Sequence, residues 1–250
     1  MPLYSPQYVA APSLVHDCYF EYVDANTCRL SRFGGNKLMI NGVVETIPAN
    51  LTVAPYGGQA SLGYVMCVAL MSGGAMVLSW HNDAVMIGPG GMPVASSVPQ
   101  YTYVGMVFGG DAAFRQNDQI IGVVSYFNRR RRTGFGSANV SSGAGAATEL
   151  SLAHRVHWVN FEGDHVRAFT VGLASVGGAG HDPAHQLYLD NATALGQPGY
   201  VHGVVNGAQN NVSLHADMTP SLGNHFVTSR HWQSTGAATW NTLNSVVLDG

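Results

Sequence analysis

Short runs of β-branched and aromatic residues, broken every few positions by Gly, Asn, Asp or Ser, recur along the whole chain. They predict strands over 36–40, 62–71, 75–80, 101–108, 120–127, 155–161, 166–173, 201–205, 225–230 and 244–248, because pleated, half-buried backbone favours these side chains. The connections carry specific turn chemistry: Asn41-Gly42, Ser72-Gly73-Gly74, Gly109-Gly110-Asp111 and Glu162-Gly163-Asp164 each set residues that tolerate positive φ between apolar runs. No long segment carries an apolar stripe at helical spacing. The fold class that follows is all-β, an antiparallel β-sandwich or jelly roll.

Residues 134–147 break the pattern. They are mostly Gly, Ala and Ser without apolar periodicity and read as an extended connection. The chain is therefore expected to divide near residue 130 into two β modules, 1–130 and a C-terminal β-sandwich at 131–250, with strands of both halves able to share one core. Residues 177–180 read as a shorter loop, and Asp182-Pro183-Ala184-His185 as a single helical turn.

Composition sharpens this picture. Hydrophobic residues make up 46% of the 250 positions and charged residues only 10%, with 31 glycines. A surface so poor in charge is weakly defended against association and points to a protein that buries it against neighbours. Four of the 11 basic residues form one run, Arg129 to Arg132, at the end of Val123-Val124-Ser125-Tyr126-Phe127-Asn128. A nucleic-acid arm would want a net positive domain with stacking aromatics, whereas this chain has formal net charge -3. The structural alternative weighs more: an alternating strand end, Arg129 and Arg131 on one side and Arg130 and Arg132 on the other, bonding to carbonyls or carboxylates of another subunit. The N-terminus shows no basic segment followed by an apolar one, no apolar run reaches the roughly 18 residues that span a bilayer, and three cysteines without metal spacing read as free thiols.

Candidate chemistry is sparse. The sequence holds no GxSxG, GxxxxGK[ST], HExxH or helix-opening GxGxxG motif. Glu162 and Asp164 sit at a hairpin tip and read as a solvated turn rather than a glycosidase pair, whose carboxylates come from separate strands. His181 and His185 stand at i and i+4 beside Asp182, a metal-binding spacing if the segment is helical, and otherwise a polar loop or a pH-sensitive contact. No cofactor is implied. Trp158, Trp232 and Trp240 would be glycan contacts if exposed on a shallow face.

The order of segments carries a resemblance. Leu38-Met39-Ile40-Asn41-Gly42, Thr46-Ile47-Pro48, Leu62 to Ala69 and Ala75 to Trp80, followed by Tyr103-Val104-Gly105-Met106-Val107 and the Ser125-Tyr126-Phe127-Asn128 strand leading into arginines, resembles virion surface proteins of tailed bacteriophages of the tail-fibre or appendage type. Val156-His157-Trp158-Val159 with Glu162 to Val166 is similar to a distal hairpin in that family. The resemblance implies a non-enzymatic, trimeric virion component assembled in the bacterial cytoplasm. Residues 1–130 would attach to other virion proteins of tail or head, the exposed C-terminal half would contact host surface glycan, and Arg129, Arg130, Arg131 and Arg132 would lie at subunit contacts. Neither nucleic acid nor membrane insertion is implied. A capsid decoration or head spike shares these properties, and a carbohydrate-active enzyme or a lectin-like module are the competing classes.

Overall fold

The computed structural model describes residues 15–55, 63–108, 113–142, 145–178, 182–202, 207, 209–233 and 237–249. The turn expected at Gly109 to Asp111, residue His181 and the end of the strand expected over 201–205 lie outside these residues. The first half carries β1 (Cys18–Asp24), β2 (Thr27–Arg32), β3 (Lys37–Ile40), β4 (Val43–Thr46), β5 (Leu51–Val53), β6 (Tyr64–Ser72), β7 (Ala75–Trp80), β8 (Val85–Ile87), β9 (Pro93–Ala95), β10 (Thr102–Phe108), β11 (Ile120–Ile121) and β12 (Val123–Ser125). In the second half follow β13 (Arg132–Ser142), β14 (Gly145–Glu149), β15 (Val156–Asn160), β16 (Val166–Val176), β17 (Ala184–Leu189), β18 (Thr193–Tyr200), β19 (Gln209–Met218), β20 (Gly223–Gln233) and β21 (Ala238–Leu248). The fold is all-β, and its hairpins use the turn residues expected. Asn41 and Gly42 both take positive φ between Ile40 and Val43, and Gly73 and Gly74 do so between Ser72 and Ala75.

Strands β1, β2 and β5 form one small sheet, β3 and β4 another, and β7-β6-β10-β9-β8 with β12 a larger one. Their inner faces enclose a core around Phe20, Leu30, Leu38, Ile47, Val104 and Val107. Beyond Arg132 two sheets stack as a sandwich: β11-β15-β20-β17-β18 with β14, and the four-stranded β13-β21-β16-β19. The chain crosses from one sheet to the other between β13 and β14, β15 and β16, β16 and β17, β18 and β19, β19 and β20, and β20 and β21, as in jelly-roll sandwiches.

Three expectations are corrected. Residues 134–142 and 145–147 are not a connection: they belong to β13 and β14, one at the edge of each sheet, while 143 and 144 lie outside the described residues. Apolar periodicity is missing because the first two buried positions of β13, Gly134 and Gly136, are glycines and the next inward one is Ala138. A Cβ on Gly134 would meet Val156 at 2.8 Å and one on Gly136 the Ala153 carbonyl at 2.7 Å, so only bare backbone lets β13 lie this close to its neighbours. Asp182 to His185 is not a helical turn, because Ala184 onward pairs with β20 and β18. Val201 and His202 are irregular; the Val201 N–H instead donates to the Pro183 carbonyl at 3.0 Å.

The halves are not separate bodies. One apolar cluster joins Met66, Tyr103, Met106 and Val124 of the first half to Trp158, Leu187 and Val246 of the second. In addition β11, from the first half, pairs in parallel with β15. The junction near residue 130 is a change of sheet, not of core. Each fully buried large side chain in this cluster contributes about 2–3 kcal/mol, so the halves unfold together. Calorimetry should show one transition, and Met106→Ala should lower the stability of that whole transition by about 2–4 kcal/mol; two separated transitions, only one of them moved, would contradict the shared core.

Candidate functional site

The arginine run lies at the change of sheet. After β12 the chain bends through Tyr126-Phe127-Asn128, and Asn128 takes positive φ, which tips the arginines off the strand line. Asn128 fixes the bend by donating its Nδ2 hydrogens to the carbonyls of His16 and Cys18, each at 2.9 Å. Arg129 then turns inward. Its guanidinium pairs with Asp164, lies 4.9 Å from the Phe161 ring and 5.3 Å from the Tyr126 ring, and donates Nε–H to the Tyr126 carbonyl at 3.1 Å. Arg130 stacks on Tyr19 at 4.5 Å, and Arg132 donates to the Tyr19 hydroxyl. Arg130 and Arg131 are exposed, and Arg131 lies 3.9 Å from Asp249.

Arg129, Arg130 and Arg132 therefore make their hydrogen bonds or ring contacts inside the chain, tying β1 and the turn at 161–164 to the change of sheet; that turn is not the hairpin expected, because it carries the chain from β15 in one sheet to β16 in the other. The alternating strand end expected for them does not form. Asp164 is likewise no solvated tip residue. Its side chain is only 9% exposed, and it accepts the Phe161 N–H at 2.9 Å while holding Arg129. The sequence put Asp164 in the right turn but gave no signal of its partner, which lies 35 positions away.

Between the two sheets of the sandwich the interior is polar. His154, which ends a 3-10 turn at Leu152–His154, faces Thr242 with its Nε2 at 2.8 Å from the carbonyl, and Asn244 donates to the His154 carbonyl at 3.0 Å. The Ser229 hydroxyl donates to Asn244 at 2.6 Å. His185 on β17 points into the same layer, 3.3 Å from the Thr170 hydroxyl, and stacks on Trp240 at 5.1 Å between ring centres. His231 on β20 approaches the same indole at 5.8 Å. Burial pushes the His154, His185 and His231 imidazoles below their ordinary range, and the two neighbouring histidines help push His185 down to about 3. All three are held neutral. His185 is thus an interior side chain on a strand, and among the described residues no three His, Cys, Asp or Glu side chains are placed to share a metal ion.

This layer also decides the tryptophans. Trp240 and Trp158 have no exposed surface, so neither is presented to a glycan, because inward parity on β21 and β15 places both in the core. Trp232 is half-buried on the outward side of β20. The three cysteines are buried within the first half, and burial pushes the Cys18 thiol up to about 12, which removes its nucleophilic form at neutral pH.

The sandwich turns two unlike faces outward. Across β15, β20 and β17 the outer face is charged and cross-linked: Arg155 grips Glu149 at 2.7 and 2.8 Å, Thr228 donates to the same carboxylate at 2.6 Å, and Arg230 stacks on Tyr188 at 4.6 Å. The outer face of β13-β21-β16-β19 is the opposite. Register aligns odd-numbered residues of all four strands outward in rows: Phe135, Ser245, Phe169, His215; then Ser137, Leu243, Val171, Ser213; then Asn139, Asn241, Leu173, Asn211; then Ser141, Thr239, Ser175, Gln209. None of these is Asp, Glu, Lys or Arg. Phe135, Val171 and Leu173 are 43%, 46% and 40% exposed. Charge begins beyond the Phe135 row, where Asp249 accepts from Arg167 at 2.6 Å and lies 3.1 Å from His165. Sequence reading missed this face because no single strand shows it; the only local trace is the alternation of Gly or Ala with Ser, Asn and Phe through β13.

A cleft of about 440 Å³ lies beside the Arg129 junction, lined by Val85, Tyr126, Phe161, Glu162 and Leu222. Glu162 is the one carboxylate among these residues.

No protein-family model matches the chain, and no curated protein matches it. Among solved structures, the chain is similar to a VP2 subviral particle of infectious bursal disease virus at 10% identity and TM-score 0.37, covering 98% of this chain and 76% of that one. It is also similar to the insecticidal delta-endotoxin Cry8Ea1 of Bacillus thuringiensis at 6% identity and TM-score 0.35, covering 95% and 53%. A third match is the CBM36-1 domain of a xylanase from the hindgut metagenome of Trinervitermes trinervoides, at 9% identity and TM-score 0.28, covering 46% and 96%. At these identities and scores the matches assign neither family nor role.

Two outcomes follow from the geometry. Because Arg129 and Asp164 are largely buried, removing one partner strands the other charge. Asp164→Asn should lower stability by about 2–4 kcal/mol in chemical denaturation, and an unchanged midpoint would contradict the locking role. The histidines set a pH dependence. His154, His185 and His231 take up protons more readily unfolded than folded, so stability must fall as pH drops below about 6.5, by up to about 1.4 kcal/mol per pH unit for each group. His225 opposes them. Burial pushes it down, but Asp190 at 2.7 Å and the Ser221 carbonyl at 2.9 Å together outweigh burial and raise it, so its contribution is present at acid pH and lost as pH rises through its folded value. Melting temperatures between pH 7.5 and 5 should therefore fall in the native protein and fall less steeply in His185→Gln; parallel curves would contradict the assignment.

Proposed function

We propose that this chain is a non-enzymatic structural subunit of a virion, an appendage or shell component that works by packing its surface against copies and neighbours. The observation that carries the reading is the uncharged outer face of β13-β21-β16-β19, wide, flat and partly apolar, in a chain whose charges are concentrated elsewhere. Soluble monomers defend such faces with charge. Here the basic run that could have done so is engaged at the change of sheet, and the charged side chains of the sandwich gather on its opposite face and at one end.

Supporting this reading are the apolar cluster shared by the two halves and the locked junction, which give a stiff body suited to transmitting load between neighbours. The order of sequence segments, which resembles tailed-phage appendage proteins, makes a phage particle the leading setting. Host glycan contact is not part of the proposal, since two of the three tryptophans that suggested it are enclosed. An antibody against the folded chain, applied to particles purified by density gradient from the source of the sequence, should label intact virions in electron micrographs. Recovery of the protein only in the soluble fraction, with particles unlabelled, would overturn the proposal.

A further inference from the structure

We infer that the neutral face of β13-β21-β16-β19 is a self-association surface, and that its occupant is the same face of a second copy of this chain. The inference rests on the assembly reading and gives it a partner and a geometry.

The first argument is charge. A face that meets its own copy places every charge within reach of an identical charge, so isologous contacts favour neutral centres. Four consecutive rows of this sheet carry no Asp, Glu, Lys or Arg, and His215 is their one titratable side chain. It stacks beside Phe169, with ring centres 6.3 Å apart, and has Asp217 of its own strand at 3.7 Å. The charged groups Arg167, His165, Asp217 and Asp249 all gather beyond the first of these rows.

Area supplies the second argument. Four rows at roughly 7 Å and four strands at roughly 4.8 Å span about 500 Å² on each copy, or about 1,000 Å² for a pair. This reaches the lower bound for a specific contact and predicts weak pairing in solution, in the micromolar range or above, that strengthens when many copies are held in one particle.

A two-fold axis running across the strands, between the Val171 and Leu173 rows, fits both arguments. It sets Val171 of one copy against Leu173 of the other and Phe169 against Ser175. Both Arg167–Asp249 ends then remain in water at opposite margins. Sheets packed in this way cross at about 30° because each is twisted. The contact is two-fold, and so differs from the three-fold association that the sequence resemblance implies. A glycan is the less fitting occupant: the centre of the face is Val171, Leu173 and Leu243, aliphatic side chains rather than the indole or phenol platforms that sugar rings stack on.

Sedimentation equilibrium of the full chain from 5 to 500 µM tests this. The native protein should shift from the one-copy to the two-copy mass, Val171→Lys and Leu173→Lys should each weaken the shift at least tenfold with unchanged circular dichroism and melting temperature, and Ala194→Lys, exposed on the other sheet, should leave it intact. A native protein that stays at the one-copy mass throughout would overturn the pairing. So would an oligomer, three-fold or other, that survives Val171→Lys and Leu173→Lys. Binding to an array of bacterial surface glycans that Val171→Lys abolishes would also overturn it, by giving the face another occupant. Pairing and the virion role fail separately: labelled particles with a monomeric native protein sink only the pairing, and a paired protein absent from particles sinks the virion reading.

Discussion

Side-chain parity, locked by register across β13-β21-β16-β19, is the constraint on which the C-terminal half depends. Because a strand alternates with period two, a slip of one residue would carry Trp240, Thr170 and Asn244 to the surface and Phe135, Val171 and Leu243 into the layer of histidines. What prevents it is that the inward set is specific on both sides. Gly134 and Gly136 leave room for the strand and turn behind them, and a side chain at either position would strike β15 or the turn at Ala153. The Ser229–Asn244–His154 hydrogen bonds add a geometric key, since buried polar groups displaced from their partners cost far more than displaced methyls. Fixing the inside fixes the outside, and the neutral outer rows are the direct consequence.

The same economy governs charge at the change of sheet. Four adjacent arginines in one subunit repel each other unless each finds a partner, and each finds one within the chain: a carboxylate and two rings for Arg129, one shared tyrosine for Arg130 and Arg132, and Asp249 for Arg131. Asn128 makes this possible. Its positive φ breaks the strand line, so the arginines fan out instead of alternating between two faces. A basic run can thus serve as an internal clasp between β1, the turn at 161–164 and the sandwich, leaving the four-stranded sheet without a charged guard.

Much of the fold was legible in the sequence, and the reasons for the gaps are physical. Ala75–Trp80 and Lys37–Ile40 stood out because they combine β-branched or long apolar residues with positive-φ turns. β13 was invisible because the side chains that make it a strand belong to its partner β21 and its first inward positions, Gly134, Gly136 and Ala138, are Gly or Ala. β17 was masked by Asp182 and Pro183, which signal a turn locally but are overridden by pairing to β20 on one side and β18 on the other. For the site, the sequence located Arg129 and the Glu162–Asp164 turn correctly in the chain, yet their contact depends on tertiary approach, which no spacing rule carries. Trp158 and Trp240 could not be assigned to inside or outside without register.

The central claim is that parity turns a neutral, association-prone face outward from a body whose charges are occupied elsewhere. Hydroxyl-radical footprinting of the protein in its assembled form and in dilute solution tests it most directly. Oxidation of Phe135, Phe169 and Leu243 should fall on assembly while Tyr188 and Phe226, on the charged face, stay equally reactive. Equal oxidation of Phe135, Phe169 and Leu243 in both states, with protection on the charged face instead, would contradict it.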